Sequence, residues 1–173
     1  PKVTDVEKRM QKEAQDDISN RFAQIVDNEL ANPTFQTESI VIGYTPDLLR
    51  KLGIPSLPMT FNRDHIYPCA KTEDEAKAEG HFSDDYHYHG LGAKGVKGIY
   101  EALQDPIAII SPKDVKSDEE RMRSTHGIVA IIKVPGNQKD LLLPVKITVE
   151  SRLGSLRAEV NELSSAYTRN VRP

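Results

Sequence analysis

The stretch DDYHYHGLGAKGVKG, Asp84–Gly98, sets His87 and His89 two residues apart, behind two aspartates and ahead of Lys94 and Lys97. On an extended chain, residues two apart share a face, so both imidazoles would point the same way. A metal site could draw on His81, Asp84, Asp85, His87 and His89, since imidazole and carboxylate suit zinc, manganese or iron. There is no HExxH helix and no second ligand cluster to fix a geometry, which weighs toward a solvated loop. Acid–base catalysis asks for less, because a histidine titrates near neutrality and either takes or gives a proton. Lys94 and Lys97 fall in the first turns of an expected helix, where ammonium groups and free amides would favour a phosphate. Such a set suits phosphodiester cleavage without metal: a base deprotonates a 2′-hydroxyl, a cation steadies the phosphorane, and an acid protonates the leaving 5′-oxygen. The plainer alternative is a polar connection carrying ordinary surface lysines.

A second polar concentration is SSAYTR near the C-terminal end. Ser164, Ser165, Tyr167, Thr168 and Arg169 supply hydroxyls, an aromatic face and a guanidinium that can fork two donors to a phosphate. Other chemistries drop out. The glycines of HGLGAKG lack the spacing of a dinucleotide or nucleotide-triphosphate loop. Cys69 and His65 in one loop, or Ser124–Thr125–His126, form no nucleophile arrangement without further partners.

The elements that must position these groups are read from periodicity. Apolar residues at Val3, Val6, Met10, Ala14, Ile18, Phe22, Ile25 and Leu30 recur at helical steps, so 4–30 is a helix, with Thr4 and Glu7 as a capping box and Asn32–Pro33 as its end. Residues 1–33 are therefore an N-terminal amphipathic linker or packing helix, and 34–173 the main domain. SIVIGY (39–44) reads as a strand, followed by a short helix with Thr45 as N-cap and Gly53 as stop. LPMTFN alternates as a strand, and residues 64–90 show no sustained period, as in a long excursion. AKGVKGIYEALQDP is one helix, IAIIS a strand, and GIVAIIKV with LLLPVKITVE an antiparallel hairpin around Pro135–Gly136. Residues 152–170 fit helix and strand equally. The order indicates an α+β fold, with helices on one face of an antiparallel sheet.

The chain has 173 residues, enough for one ordinary domain with an unaided core. One cysteine rules out an internal disulfide and a thiolate zinc cluster. No apolar run approaches the roughly 20 residues of a membrane helix. Net charge is −3, but residues 1–86 hold ten Lys/Arg against sixteen Asp/Glu, and residues 87–173 thirteen against ten. The sign changes within the histidine stretch, a modest pointer to an anionic ligand in the C-terminal half.

Taken in order, SIVIGYTPDLLRKLGI, HGLGAKGVKGIYEALQDPIAIISP and ELSSAYTR resemble the C-terminal toxin domain attached to phage MuF-type head proteins, over residues 39–170. That family is placed with the barnase–EndoU–colicin–RelE group of metal-independent ribonucleases. The resemblance implies N-terminal helices packed on one face of a small, roughly four-stranded antiparallel sheet. It implies RNA cleavage (tRNA among the candidate substrates) in the cytoplasm of a target bacterium, without a cofactor. A cognate immunity protein, and a phage- or prophage-associated or secreted parent, come with it. The family's histidine falls on His89, with His87 as runner-up, and its Ser and Tyr fall on Ser164 and Tyr167. Lys97 and Arg169 would then stabilise the phosphorane. Two departures stand out: IYEAL lacks the family's usual proline, and the loop before His89 is long and acidic. Two rival readings remain, a non-catalytic partner-binding module of a phage structural protein and a metal-dependent hydrolase built on His81, Asp85, His87 and His89.

Overall fold

A computed structural model describes residues 3–110, 127–163 and 165–168. The chain opens with α1 (Val3–Ala31), which already includes Thr4, so the Thr4 hydroxyl stands inside the helix rather than capping it. Phe22 and Val26 of its C-terminal half are buried, with the Phe22 ring 6.0 Å from that of Phe61. Glu29, 1 % exposed, accepts from the Thr34 amide and hydroxyl and from Arg63 Nε at 2.7 Å. A buried carboxylate is tolerable only when donors surround it; the Thr34 pair folds the chain back on the end of α1, and Arg63 binds α1 to a segment 34 residues further on.

Strand β1 (Ser39–Tyr44), α2 (Asp47–Lys51) and β2 (Pro58–Asn62) form the first unit. Gly53 ends α2 at φ +89°, with its amide on Arg50 and the Ile54 amide on Leu49, a Schellman closure that glycine permits. Pro46, not Thr45, holds the N-cap position. The Thr45 side chain is buried and sits 3.0 Å from the Pro55 carbonyl and 2.8 Å from that of Leu57. Asn161 donates to the Thr45 hydroxyl and to the Pro55 carbonyl, and accepts from the Thr148 amide at 3.1 Å. Thr148 has φ +55° at an irregularity in its strand, so the Asn161 amide ties that distortion to the β1–α2 connection.

The segment expected to lack periodic structure contains a 3-10 turn (Arg63–His65), α3 (Ile66–Ala70) and α4 (Glu73–Glu79). These helices are too short for a period to show. Their signals are local instead: Thr72 and Glu75 form a reciprocal capping box, and Gly80 at φ +77° closes α4. The single helix expected beyond His89 is two, α5 (Gly92–Lys97) and α6 (Ile99–Gln104), parted at Gly98. A Cβ on Gly98 would lie 2.7 Å from Pro135 Cδ.

Strands β3 (Ala108–Ile110), β4 (Gly127–Ile132), β5 (Leu141–Leu153), β6 (Leu156–Leu163) and β7 (Tyr167–Thr168) complete the sheet. Its order is β1-β2-β6-β5-β4-β3, with β7 also on β5. The α+β class holds, but the small four-stranded antiparallel sheet does not: the described residues form a seven-stranded sheet, and β2 pairs β6 in parallel through Met59↔Asn161 and Phe61↔Leu163. Alternation identifies a strand without naming its partner, and this pairing joins segments about a hundred residues apart. Residues 152–153 and 156–163 resolve as strand on either side of a turn at 154–155, β5 and β6 being paired antiparallel. Buried Phe61, Ile42, Leu49, Ile99, Leu103, Leu143 and Leu163 make up one core between sheet and helices.

Asn161→Leu keeps the volume but strands the Thr148 amide and removes the donor that reaches the Thr45 hydroxyl and the Pro55 carbonyl. We expect stability to fall by about 2–4 kcal/mol in urea unfolding, because buried polar groups lose their partners. A change below about 0.5 kcal/mol would show that the amide network contributes nothing.

Candidate functional site

His89 is placed by backbone pairing. Its amide donates to the Pro68 carbonyl, the Gly90 amide to Lys71 and the Leu91 amide to Cys69, each at 2.9 Å. Gly90 lies at φ +66°, and a Cβ there would be 2.8 Å from Thr72 Cγ2, so the turn after His89 requires glycine. Leu91 then enters the core. The histidine is therefore clamped between the end of α3 and a buried leucine.

The opposite wall comes from the far end of the chain. After Leu163 the chain leaves the β5 ladder and returns to it as β7, Leu142 opposite Tyr167. Ser165 is buried, its Oγ 3.7 Å from Cys69 Sγ, which ties this segment to α3. The Tyr167 ring meets His89 edge-on, centroids 5.1 Å apart at 76°. Both line a cleft of about 670 Å³ together with Glu73, Phe82, Asp84, Tyr86, His87, Tyr88 and Thr168. Phe82 and Tyr88 stack at 5.5 Å, and the Tyr88 hydroxyl accepts from the Ser83 amide at 2.9 Å. The aromatic rings offer flat faces to a planar ligand.

The electrostatics differ from residue to residue. His89 Nε2 is buried and has no hydrogen-bond partner among the described residues. Burial, then the nearby His87 and His65, lowers the His89 pKa below its ordinary 6.5, so the ring is neutral at pH 7 and can accept a proton. Burial pushes the Cys69 thiol up to about 11, which removes it as a nucleophile at neutral pH. Glu73 forms an ion pair with Lys77, whose ammonium lies 4.8 Å over the Phe82 ring.

Of the residues singled out from sequence, Asp84, His87, His89, Tyr167 and Thr168 come together in this cleft. Lys97 does not line it; its Nζ is 2.7 Å from Asp27 on α1. Ser164 and Arg169 lie outside the described residues. His81 packs edge-on against Tyr67 at 5.8 Å, away from the proposed ligand set. Among the described residues no three His, Cys, Asp or Glu side chains group as a metal site would need, and no helix is long and apolar enough to cross a membrane. Sequence reasoning missed Tyr86, Tyr88, Phe82 and Glu73. The Tyr–His alternation in YHYH carried a signal for the first two, and the Thr72–Glu75 box for the helix presenting Glu73. No family model, curated protein or solved structure matches the chain.

A histidine whose folded pKa is lowered binds fewer protons than in the unfolded chain at acid pH. Its contribution is thus fully present above 6.5 and is lost as pH falls through the lowered folded value. An NMR titration should place the His89 midpoint below 6.5. His89→Leu should flatten part of the stability loss between pH 7 and 5 in urea unfolding. A midpoint at or above 6.5 would contradict the buried, unpartnered ring.

Proposed function

We propose that this chain carries a metal-independent endoribonuclease domain of the toxin type. The observation supporting this most directly is the meeting of His89 and Tyr167, from distant parts of the chain, in one aromatic-walled cleft. Neutral His89 takes the proton of a ribose 2′-hydroxyl. The 2′-oxygen forms a bond to phosphorus, the bond from phosphorus to the 5′-oxygen breaks, and a protonated group returns a proton to that oxygen. The products are a 2′,3′-cyclic phosphate and a 5′-hydroxyl. Proton transfer by a positioned side chain contributes roughly 10²–10⁴-fold, which sets the size of effect expected from His89.

Tyr167 lies against the base side of this arrangement: its ring packs on His89, and it is exposed enough to stack a nucleobase. His87 lines the same wall and touches substrate. In this reading the phosphate cation is Arg169, two residues past Tyr167 in sequence, while Lys97 is committed to Asp27. The resemblance to MuF-type toxin domains adds the setting: action on RNA in the cytoplasm of a target bacterium, restrained by a cognate immunity protein.

The test is incubation of the domain with total RNA in excess EDTA. We expect cleavage, reduced about 10²-fold or more by His89→Ala and by less than about tenfold by His87→Ala. Tyr167→Ala should weaken cleavage by about 1–3 kcal/mol of lost stacking, with Tyr167→Phe near wild type. Intact RNA at high enzyme, or full activity in His89→Ala, would remove the assignment.

A further inference from the structure

The ribonuclease reading leaves open which group protonates the leaving 5′-oxygen. We propose that His65, its ring held by Asp64, is the second proton-transfer residue of this site and delivers that proton. The inference rests on that reading and adds a catalytic residue to it.

His65 ends the 3-10 turn after β2 and leads directly into α3, the helix whose terminal carbonyls hold His89 and Leu91. Its Nδ1 is 3.0 Å from Asp64 Oδ1. The second Asp64 oxygen accepts from the Tyr86 hydroxyl at 3.2 Å. A carboxylate at Nδ1 fixes the tautomer with hydrogen on that nitrogen and leaves Nε2 as the working atom. When His65 carries the proton to be given, the same contact becomes an ion pair. The Asp64 side chain is 12 % exposed and that of His65 is 32 %, so the holder is sheltered while the imidazole reaches solvent.

The position relative to the cleft follows from Tyr86. Its ring lines the cleft, which His65 itself does not, and meets His65 edge-on at 5.5 Å, so His65 serves a leaving nucleotide that extends past Tyr86, whose ring also stacks on Phe35 at 5.2 Å. A charge on His65 would oppose protonation of His89, so the two rings would not both carry a proton readily. His87 is less suited to the task. It is exposed, and among the described residues no side-chain hydrogen bond orients its ring. One histidine is thus kept neutral by burial and the other is oriented by a carboxylate, a division that suits a base and an acid.

The experiment compares two versions of one oligonucleotide at the bond that the wild-type chain cuts: the natural 5′-oxygen, and sulfur in its place. A thiolate leaves without a proton, so loss of the acid matters only for oxygen. We expect His65→Gln to cut the oxygen substrate about 10²-fold more slowly and the sulfur substrate within about fivefold of wild type. Asp64→Asn, which keeps the volume but loses the fixed tautomer, should show the same asymmetry to a smaller degree and serves if His65→Gln does not fold. His89→Gln should lose both substrates equally. Equal losses on both substrates in His65→Gln, or wild-type rates on oxygen, would overturn the role of His65 alone. No cleavage of either substrate by the wild-type chain would instead overturn the ribonuclease reading beneath it.

Discussion

Three amide-to-carbonyl bonds between residues 89–91 and 68–71 hold the whole candidate site. Each is worth only about 1 kcal/mol net, but together they fix where the chain re-enters the core at Leu91. The aromatic and acidic run before His89 therefore cannot drift: one end is tied to α3, and Gly90 makes the turn that no larger residue would fit. Against this fixed edge, the pairing of β7 with β5 brings Tyr167 to the His89 ring. Neither ladder alone makes a cleft; their meeting does.

Burial then sets the chemistry. Among the described residues the His89 Nε2 has no partner, so a proton there is a donor left unsatisfied away from water. The ring stays neutral for the same reason that its position is costly, and in the proposed reaction the proton comes to Nδ1, because Nε2 is sealed from the cleft. Of the carboxylates of the region, Glu73 is paired with Lys77 and Asp64 takes two donors, while Asp84 is exposed at the cleft. The wall facing a ligand is mainly aromatic and imidazole, which suits a stacked planar ring.

How much of this was legible in the sequence depended on the distance over which each interaction acts. Local signals carried well: the strands at Ser39–Tyr44 and Gly127–Ile132, the α2 stop at Gly53 and the β4–β5 hairpin all lie where turn chemistry and alternation put them. Pairing between remote segments did not, which is why the parallel β2–β6 contact and the seven-strand sheet replace the expected smaller one. Thr45 shows the limit well. Its type and place suit a helix cap, yet the hydroxyl serves Asn161, far along the chain. The same limit applied to the site. His89, His87 and Tyr167 stood out by residue type and motif order, whereas Lys97 looked equally suitable and turns to Asp27. Asp64 and His65 gave no sign of their relation to Tyr86, because that contact exists only after the excursion folds back.

The central claim is that this cleft cuts RNA through the neighbouring 2′-hydroxyl, and the bond chemistry tests it directly. The wild-type chain should be given an RNA oligonucleotide in EDTA, with a single 2′-deoxyribose placed at the mapped cleavage position of a matched copy. The account predicts a 2′,3′-cyclic phosphate on the cut strand and an intact deoxy-substituted copy. A 5′-phosphate product, or cutting at the deoxy position, would contradict it.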